Sequence, residues 1–138
     1  MSDVPFHYVD LRTFCYETED ERRVERALRH FLPEEAEIER VESEGHYGDR
    51  ILVLSVRLER ADEVRHVLSA LREGGALERV REELDQRVDE DCSLHLHLDK
   101  QAAYHGETVL GEGIALRAKV EAYPAKRTTA VENAREAL

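Results

Sequence analysis

The sequence predicts an α+β fold, with a mixed, largely antiparallel sheet and helices packed on one of its faces. Segments in which apolar and polar residues alternate one by one are interspersed with segments of helical period. A tight Gly-containing loop, Gly45 to Asp49, joins two of the alternating segments and makes them antiparallel. The 138 residues include seven Gly and three Pro and are 37% charged, which is typical of one globular domain.

The first predicted strand is Phe6 to Tyr16, followed by an amphipathic helix. One strand face carries His7, Val9, Leu11, Thr13 and Cys15, and the other carries Tyr8, Asp10, Arg12, Phe14 and Tyr16. Thr18 and Glu21 have capping-box spacing at the start of the helix, and Pro33 ends it. The apolar stripe of this helix is Val24, Ala27, Leu28, Phe31 and Leu32.

The middle of the chain predicts a hairpin and then helices. Residues 37–44 form a charged edge strand, and residues 51–58 are apolar enough for a central strand. Asp62 is positioned to cap the next helix, which Gly74 and Gly75 end. Leu77, Val80, Leu84 and Val88 then form another helical stripe.

Two further strands and two helices complete the predicted fold. Leu94, Leu96 and Leu98 alternate with Ser93, His95 and His97. A short helix separates this strand from residues 114–122, where Arg117, Lys119 and Tyr123 share the face away from the core. Thr129 and Glu132 have capping-box spacing for a last helix that starts near Ala130.

The net charge of −11 argues against a protein with a broad basic surface for nucleic acid. The cations are 17 Arg and 3 Lys among 31 acidic residues, a balance that resembles proteins of salt-accumulating organisms. We therefore expect a halophilic source. An ordinary acidic protein from a high-GC genome stays open as the alternative.

Residues 92–127 depart from this acidity. They hold five basic and four acidic residues and all three lysines of the chain. A segment with unpaired cations of this kind indicates binding of phosphate groups. Gln101 and Tyr104 add hydrogen-bonding and stacking groups. Salt bridges to neighbouring acids are the structural alternative. The candidate RNA-binding residues are Lys100, Gln101, Tyr104, Arg117, Lys119, Lys126 and Arg127.

The aromatic residues of the first strand define a second candidate surface. Tyr8, Phe14 and Tyr16 share a strand face with Arg12, which suits a platform for unpaired bases. The alternative is that helices cover this face and the rings belong to the core. If residues 92–127 do not bind RNA, this face is the next candidate.

The sequence gives only weak indications of metal binding or catalysis. His95 and His97 could chelate a metal with His105 or Asp99, but a four-ligand spacing is missing, so we predict no metal and no cofactor. No P-loop, nucleophile elbow or dinucleotide-binding pattern occurs, so we predict no enzyme. A metal-dependent nuclease is kept as a minor alternative, with Asp99, Glu107 and Glu112 as its candidate acids.

The expected location is the cytoplasm. No apolar run approaches the roughly 18 residues of a membrane span, so no membrane partner is expected. The first residues lack the basic and apolar regions of a signal peptide. Two cysteines, Cys15 and Cys92, do not make a disulfide framework.

Three segments together carry a family resemblance: Thr18-Glu-Asp20 before a helix ending Phe31-Leu-Pro33, Leu98-Asp-Lys-Gln-Ala-Ala-Tyr104, and Ala122-Tyr-Pro-Ala-Lys-Arg127. The chain resembles an archaeal family of small RNA-binding proteins, often named exosome-subunit-like, whose fold is similar to that of the 5S-rRNA-binding ribosomal protein. The resemblance implies RNA as partner and no established catalytic activity. It leaves open an accessory role in RNA processing or ribosome-related assembly, a protein-interaction module of such a complex, and a homodimer.

Overall fold

The computed structural model describes residues 4–138, which form an α+β fold of five strands and six helices. In chain order the elements are β1 (Phe6–Tyr16), α1 (Glu21–Arg29), β2 (Glu39–Glu44), β3 (Arg50–Leu58), α2 (Ala61–Glu73), α3 (Ala76–Glu82), α4 (Leu84–Arg87), β4 (Ser93–Asp99), α5 (Lys100–Tyr104), β5 (Gly113–Val120) and α6 (Arg127–Ala137). The α+β class is as predicted.

The sheet is antiparallel throughout the described residues, with strand order β2-β3-β1-β5-β4. The sequence predicts a mixed, largely antiparallel sheet, whereas the described sheet has no parallel strand pair. β1 is the central strand, and its Leu11 lies opposite Val56 of β3 and Leu116 of β5. β2 and β4 form the two edges, as expected for the charged β2 segment.

The core lies between one sheet face and the helices. The alternation along each strand brings Leu11, Leu54, Leu96 and Leu116 to this face, and all four are buried. α1 contributes Leu28, the turn after it contributes Phe31, α2 contributes Val64 and Leu71, and α6 contributes Ala130 and Ala134. Truncating one of the core leucines to Ala would cost about 2–5 kcal/mol of stability.

The helix starts differ from the sequence prediction at three places. α1 is capped by Asp20, so the predicted Thr18–Glu21 capping box is wrong. α2 begins at Ala61 with Arg60 at the N-cap, which places Asp62 inside the first turn. α6 begins at Arg127, so Thr129 lies within the helix and cannot open it.

The opposite sheet face has no helix of residues 4–138 packed on it. Phe14 is 38% exposed and Tyr16 is 49% exposed, and Arg12 on the same face of β1 is exposed as well. The interpretation of these rings as core is therefore wrong, and the open-face interpretation is right. His7 leaves the predicted inward face because the β1–β5 register shifts between Phe6 and Tyr8.

None of the described helices is both long and apolar enough to span a membrane.

Candidate nucleic-acid interface

Asp10 lies at the centre of the open sheet face, between two arginines from neighbouring strands. The antiparallel register places Asp10 of β1 opposite Arg57 of β3 and Arg117 of β5. Arg57 donates from Nε and Nη2 to the carboxylate at 2.7 and 2.8 Å, and Arg117 donates from Nη2 at 2.9 Å. Partial burial raises the pKa of Asp10, but the two arginines outweigh it and hold that pKa below its ordinary value.

The ring of Tyr8 lies beside both of these arginines. The Cζ of Arg57 is 3.9 Å from the ring centroid, and the Cζ of Arg117 is 5.7 Å away. Both distances are in the range of cation–π contacts. The carboxylate and the ring thus fix two guanidinium groups in a half-exposed position, where each keeps part of its surface open to solvent.

Two residues further along β1, the face becomes aromatic. Arg12 has its Cζ 5.6 Å from the Phe14 ring, and the Phe14 and Tyr16 centroids are 6.4 Å apart. Arg12 makes no ion pair with a carboxylate of residues 4–138. This stretch therefore offers an unneutralised cation beside two exposed rings, the combination that binds unpaired nucleotides.

A concavity of about 920 Å³ extends from Arg12 towards β4 and is lined by Asp10, Ser55, Arg57, His97 and Arg117 among others. His95 at its border contacts Asp89, with Nε2 2.7 Å from Oδ2. Burial raises the pKa of Asp89, but hydrogen bonds from His95 and from the backbone of Ser93 and Asp91 lower it overall. His97 is exposed and faces the same way as His95.

The two histidines do not complete a metal site in the described structure. Within residues 4–138, no group of three or more His, Cys, Asp or Glu side chains is arranged to hold an ion. Asp99 instead accepts a hydrogen bond from the backbone N–H of Ala102 at 2.8 Å and caps α5.

The open face is not acidic, although the chain is. The strand registers place four cations on it, Arg12, Arg57, Arg117 and Lys119, and three carboxylates, Asp10, Glu39 and Asp99. A fourth carboxylate, Glu37, precedes β2 and lines the same concavity. Of these carboxylates, Asp10 is held by two arginines and Asp99 by a backbone N–H. An RNA strand on this face would therefore meet less repulsion than elsewhere on a protein with net charge −11.

The predicted RNA-binding residues do not form one cluster. Lys119 and Arg117 lie on the open face, and the Lys119 ammonium donates to the Asp91 carbonyl. Lys100 follows Asp99, which pairs with Gly113 at the opposite end of β5 from Lys119. Six residues of strand at about 3.3 Å each separate the two ends by roughly 20 Å. The two lysines are therefore not neighbours in one cluster of cations.

Lys100 and Arg127 are engaged within the protein. The Lys100 ammonium is 2.9 Å from a Glu19 carboxylate oxygen and donates to the Phe14 carbonyl at 2.9 Å. Arg127 donates to the carbonyls of Val88, at 2.9 Å, and Asp85, which ties α6 to α4. Lys100 therefore forms a salt bridge to a neighbouring acid, as the structural alternative expects, and Arg127 has a structural role. Lys126 is exposed at the N-cap of α6.

Gln101 and Tyr104 lie on α5, beyond the end of the sheet. Gln101 is exposed. The ring of Tyr104 is half-buried against α1, with the Cζ of Arg23 at 5.5 Å and that of Arg26 at 5.4 Å from its centroid. Tyr104 therefore packs against two arginines of α1. The sequence around Tyr104 alone does not indicate this contact.

Arg57 is the residue that the sequence analysis missed. The apolar run of residues 51–58 predicts a central strand, and this prediction singles out no residue on the exposed face of that strand. Ile51, Val53, Ser55 and Arg57 alternate with buried Leu52, Leu54, Val56 and Leu58. That alternation was the available signal, and it places Arg57 on the open face once β3 is paired with β1.

Comparison with known proteins identifies the family of this chain. A family model described as RNA binding matches residues 8–120, which include the Asp10 site and the aromatic stretch of β1. An RNA-binding protein of Pyrococcus abyssi is 36% identical, over 96% of this chain and 93% of the relative. The relatives are archaeal.

Two solved structures show the same fold. A protein from Archaeoglobus fulgidus has 34% identity and a TM-score of 0.85, covering 96% of this chain and 99% of its own. A DUF54 protein from Methanothermobacter thermautotrophicus has 40% identity and a TM-score of 0.80, covering 96% and 98%. The family model spans most of the described sheet, and the relatives align over nearly the whole chain. The chain therefore belongs to this archaeal RNA-binding family.

Proposed function

We propose that this protein is a non-catalytic RNA-binding protein that holds single-stranded RNA on the open face of its sheet. The observation that supports this most is the arrangement along β1. Its open face carries the rings of Tyr8, Phe14 and Tyr16 together with three arginines, which are Arg12 of β1 itself and Arg57 and Arg117 from the neighbouring strands. Helix-free sheet faces with aromatic rings stack unpaired bases, and arginines beside them contact phosphates.

Single-stranded RNA fits this face better than a duplex. Bases in a duplex are stacked on each other and do not expose their rings to Phe14 or Tyr16, whereas unpaired bases do. The cations are also few and lie next to aromatic rings, so stacking supplies a large share of the affinity. The proposed role is that of an accessory in RNA processing or ribosome-related assembly, where the protein binds an RNA segment without acting on its bonds.

The test is a salt titration of affinity for single-stranded and duplex RNA of the same length, with the variants Phe14→Ala and Arg12→Gln. Phe14→Ala should weaken single-strand binding by about 1–3 kcal/mol and leave the salt dependence unchanged, because stacking releases no counterions. Arg12→Gln should make the log–log salt slope shallower by about 0.7, the value for one phosphate contact. The parent should prefer the single strand.

The controls use the same residue types outside the proposed face. Tyr47 is 88% exposed on the β2–β3 hairpin loop, and Arg135 is exposed on α6. Tyr47→Ala and Arg135→Gln should bind like the parent. Equal binding by Phe14→Ala, Arg12→Gln and the parent would move the interface off this face. A parent that binds no RNA but captures a processing protein through the sheet would favour the protein-interaction alternative.

A further inference from the structure

A second cationic surface lies at the junction of α1 and α5. Arg23, Arg26 and Arg29 follow each other at three-residue intervals along α1, so they line one side of the helix. Arg26, Arg29 and His30 face Tyr104 and His105 across a pocket of about 540 Å³. Gly106 completes its rim.

The positive charge at this junction is only partly neutralised by the described residues, and Arg23 lies over the Tyr104 ring beside the pocket without lining it. The guanidinium groups of Arg23 and Arg26 both lie over the Tyr104 ring, at 5.5 and 5.4 Å, and neither makes an ion pair with a carboxylate of residues 4–138. Arg29 has its Nε 3.8 Å from the Glu25 carboxylate. In a chain with 31 acidic residues, two adjacent arginines without a carboxylate partner favour binding of an anion from outside.

The pocket connects to the open face through a continuous row of rings and cations. Tyr16 at the end of β1 has the Lys100 ammonium 5.5 Å from its ring centroid. Lys100 and Tyr104 are four residues apart on α5, which places them on neighbouring turns. The row runs in the order Arg12, Phe14, Tyr16, Lys100, Tyr104 and then Arg23 with Arg26.

We propose that the α1–α5 pocket is a second phosphate site, which holds a backbone phosphate of the RNA strand as it leaves the sheet face past Tyr16 and Lys100. This rests on the proposed function, since the strand reaches the pocket from the sheet. A single strand places its bases on rings and its phosphates on cations. Lys100 is paired with Glu19, so the phosphates are expected at Arg12 and at Arg23 with Arg26.

The experiment compares a short and a long single-stranded oligonucleotide, of about 4 and about 12 nucleotides, within the range of known single-strand site sizes. The short one fits the sheet face alone, and the long one extends to the pocket. Arg23→Gln with Arg26→Gln should leave the short oligonucleotide unaffected. For the long one, the double variant should weaken binding and make the salt slope shallower by about 0.7 per phosphate lost.

Three variants control for charge and folding. Arg23→Lys with Arg26→Lys keeps both charges and should retain the salt slope of the parent. Arg135→Gln removes one exposed arginine elsewhere and should change neither oligonucleotide. Arg23 and Arg26 are exposed, so the Gln double variant should remain folded at the temperature of the binding assay, which circular dichroism checks.

The results separate this inference from the proposed function. If the long oligonucleotide binds the Gln double variant like the parent, while Phe14→Ala still weakens both oligonucleotides, the pocket site is wrong and the sheet site stands. If the parent binds neither oligonucleotide, both fail. A pocket that binds adenosine monophosphate in the parent, loses it in the double variant and leaves long-strand affinity unchanged would be a free-nucleotide site, which contradicts the proposed strand path.

Discussion

At the scale of single residues, Asp10 organises the open face. Its carboxylate receives three hydrogen bonds from two arginines that are distant in the sequence, and these arginines also contact Tyr8. The same carboxylate places a negative charge where phosphates are proposed to bind. Asp10 therefore fixes Arg57 and Arg117 in position and also limits how strongly they attract an anion.

Replacing Asp10 with Asn should lower the free energy of unfolding by about 1 kcal/mol near neutral pH, at the low end for charged hydrogen bonds because the site is partly exposed. The folded-state pKa of Asp10 is lowered, so its contribution is present above the unfolded-state pKa of about 3.9 and is lost as the pH falls through the folded-state value. Urea denaturation from pH 7 to pH 3 should show the two proteins converge below about pH 4.

The matched control for this prediction is Asp49→Asn, a substitution of an exposed aspartate in the β2–β3 hairpin loop. It should change stability by less than about 0.5 kcal/mol at either pH. A constant difference between the parent and Asp10→Asn down to pH 3 would mean that the carboxylate is not held by the two arginines in solution.

At the scale of elements, the strand alternation and the β2–β3 hairpin were predictable, and the pairing of β1 with β3 and β5 was not. The two faces of β1 can be listed from the sequence, because side chains alternate along a strand. Which face the helices cover depends on tertiary packing, so the rings of Phe14 and Tyr16 stayed ambiguous. Asp10 meets Arg57 across 47 residues and Arg117 across 107, and only the strand order brings them together.

The start of α1 shows why a local motif can mislead. Residues 16–19 form a turn, in which Glu19 donates its backbone N–H to the Tyr16 carbonyl at 2.9 Å and accepts from the Tyr16 N–H at 3.1 Å. Thr18 lies inside this turn, so it cannot occupy the N-cap. Asp20 takes that position, and its Oδ1 accepts from the N–H groups of Arg22 and Arg23 at 2.8 and 3.4 Å.

Asp20→Ala should therefore lower the free energy of unfolding by about 1 kcal/mol, the usual cost of losing an N-cap side chain. Thr18→Ala should cost less than about 0.5 kcal/mol, because Thr18 is exposed and does not cap the helix. Chemical denaturation of the two variants measures both values. If Thr18→Ala is the more destabilising of the two, the capping box predicted from the sequence is the correct description of this helix start.

At the scale of the whole molecule, charge is distributed unevenly. Many arginines are paired with carboxylates on the surface, for example Arg40 with Glu25 at 2.7 Å and Arg50 with Glu42 at 2.8 Å. The open face and the α1–α5 pocket instead leave Arg12, Arg23 and Arg26 without a carboxylate partner among residues 4–138. Much of the excess negative charge is therefore carried elsewhere, as at Glu34 and Glu35, which are adjacent and exposed.

A net charge of −11 on 138 residues should destabilise the folded protein in dilute buffer, because the like charges on its surface repel each other with little screening. The screening length falls from about 30 Å at 0.01 M salt to about 3 Å at 1 M. We therefore predict that the melting temperature rises strongly with KCl, as expected for a halophilic protein. Removing three of the unpaired charges by Glu34→Gln, Glu35→Gln and Glu37→Gln should raise the melting temperature at 0.01 M more than at 1 M. A melting temperature that is flat from low to molar KCl, or a triple variant that gains equally at both salt concentrations, would mean that the acidity does not reflect adaptation to salt.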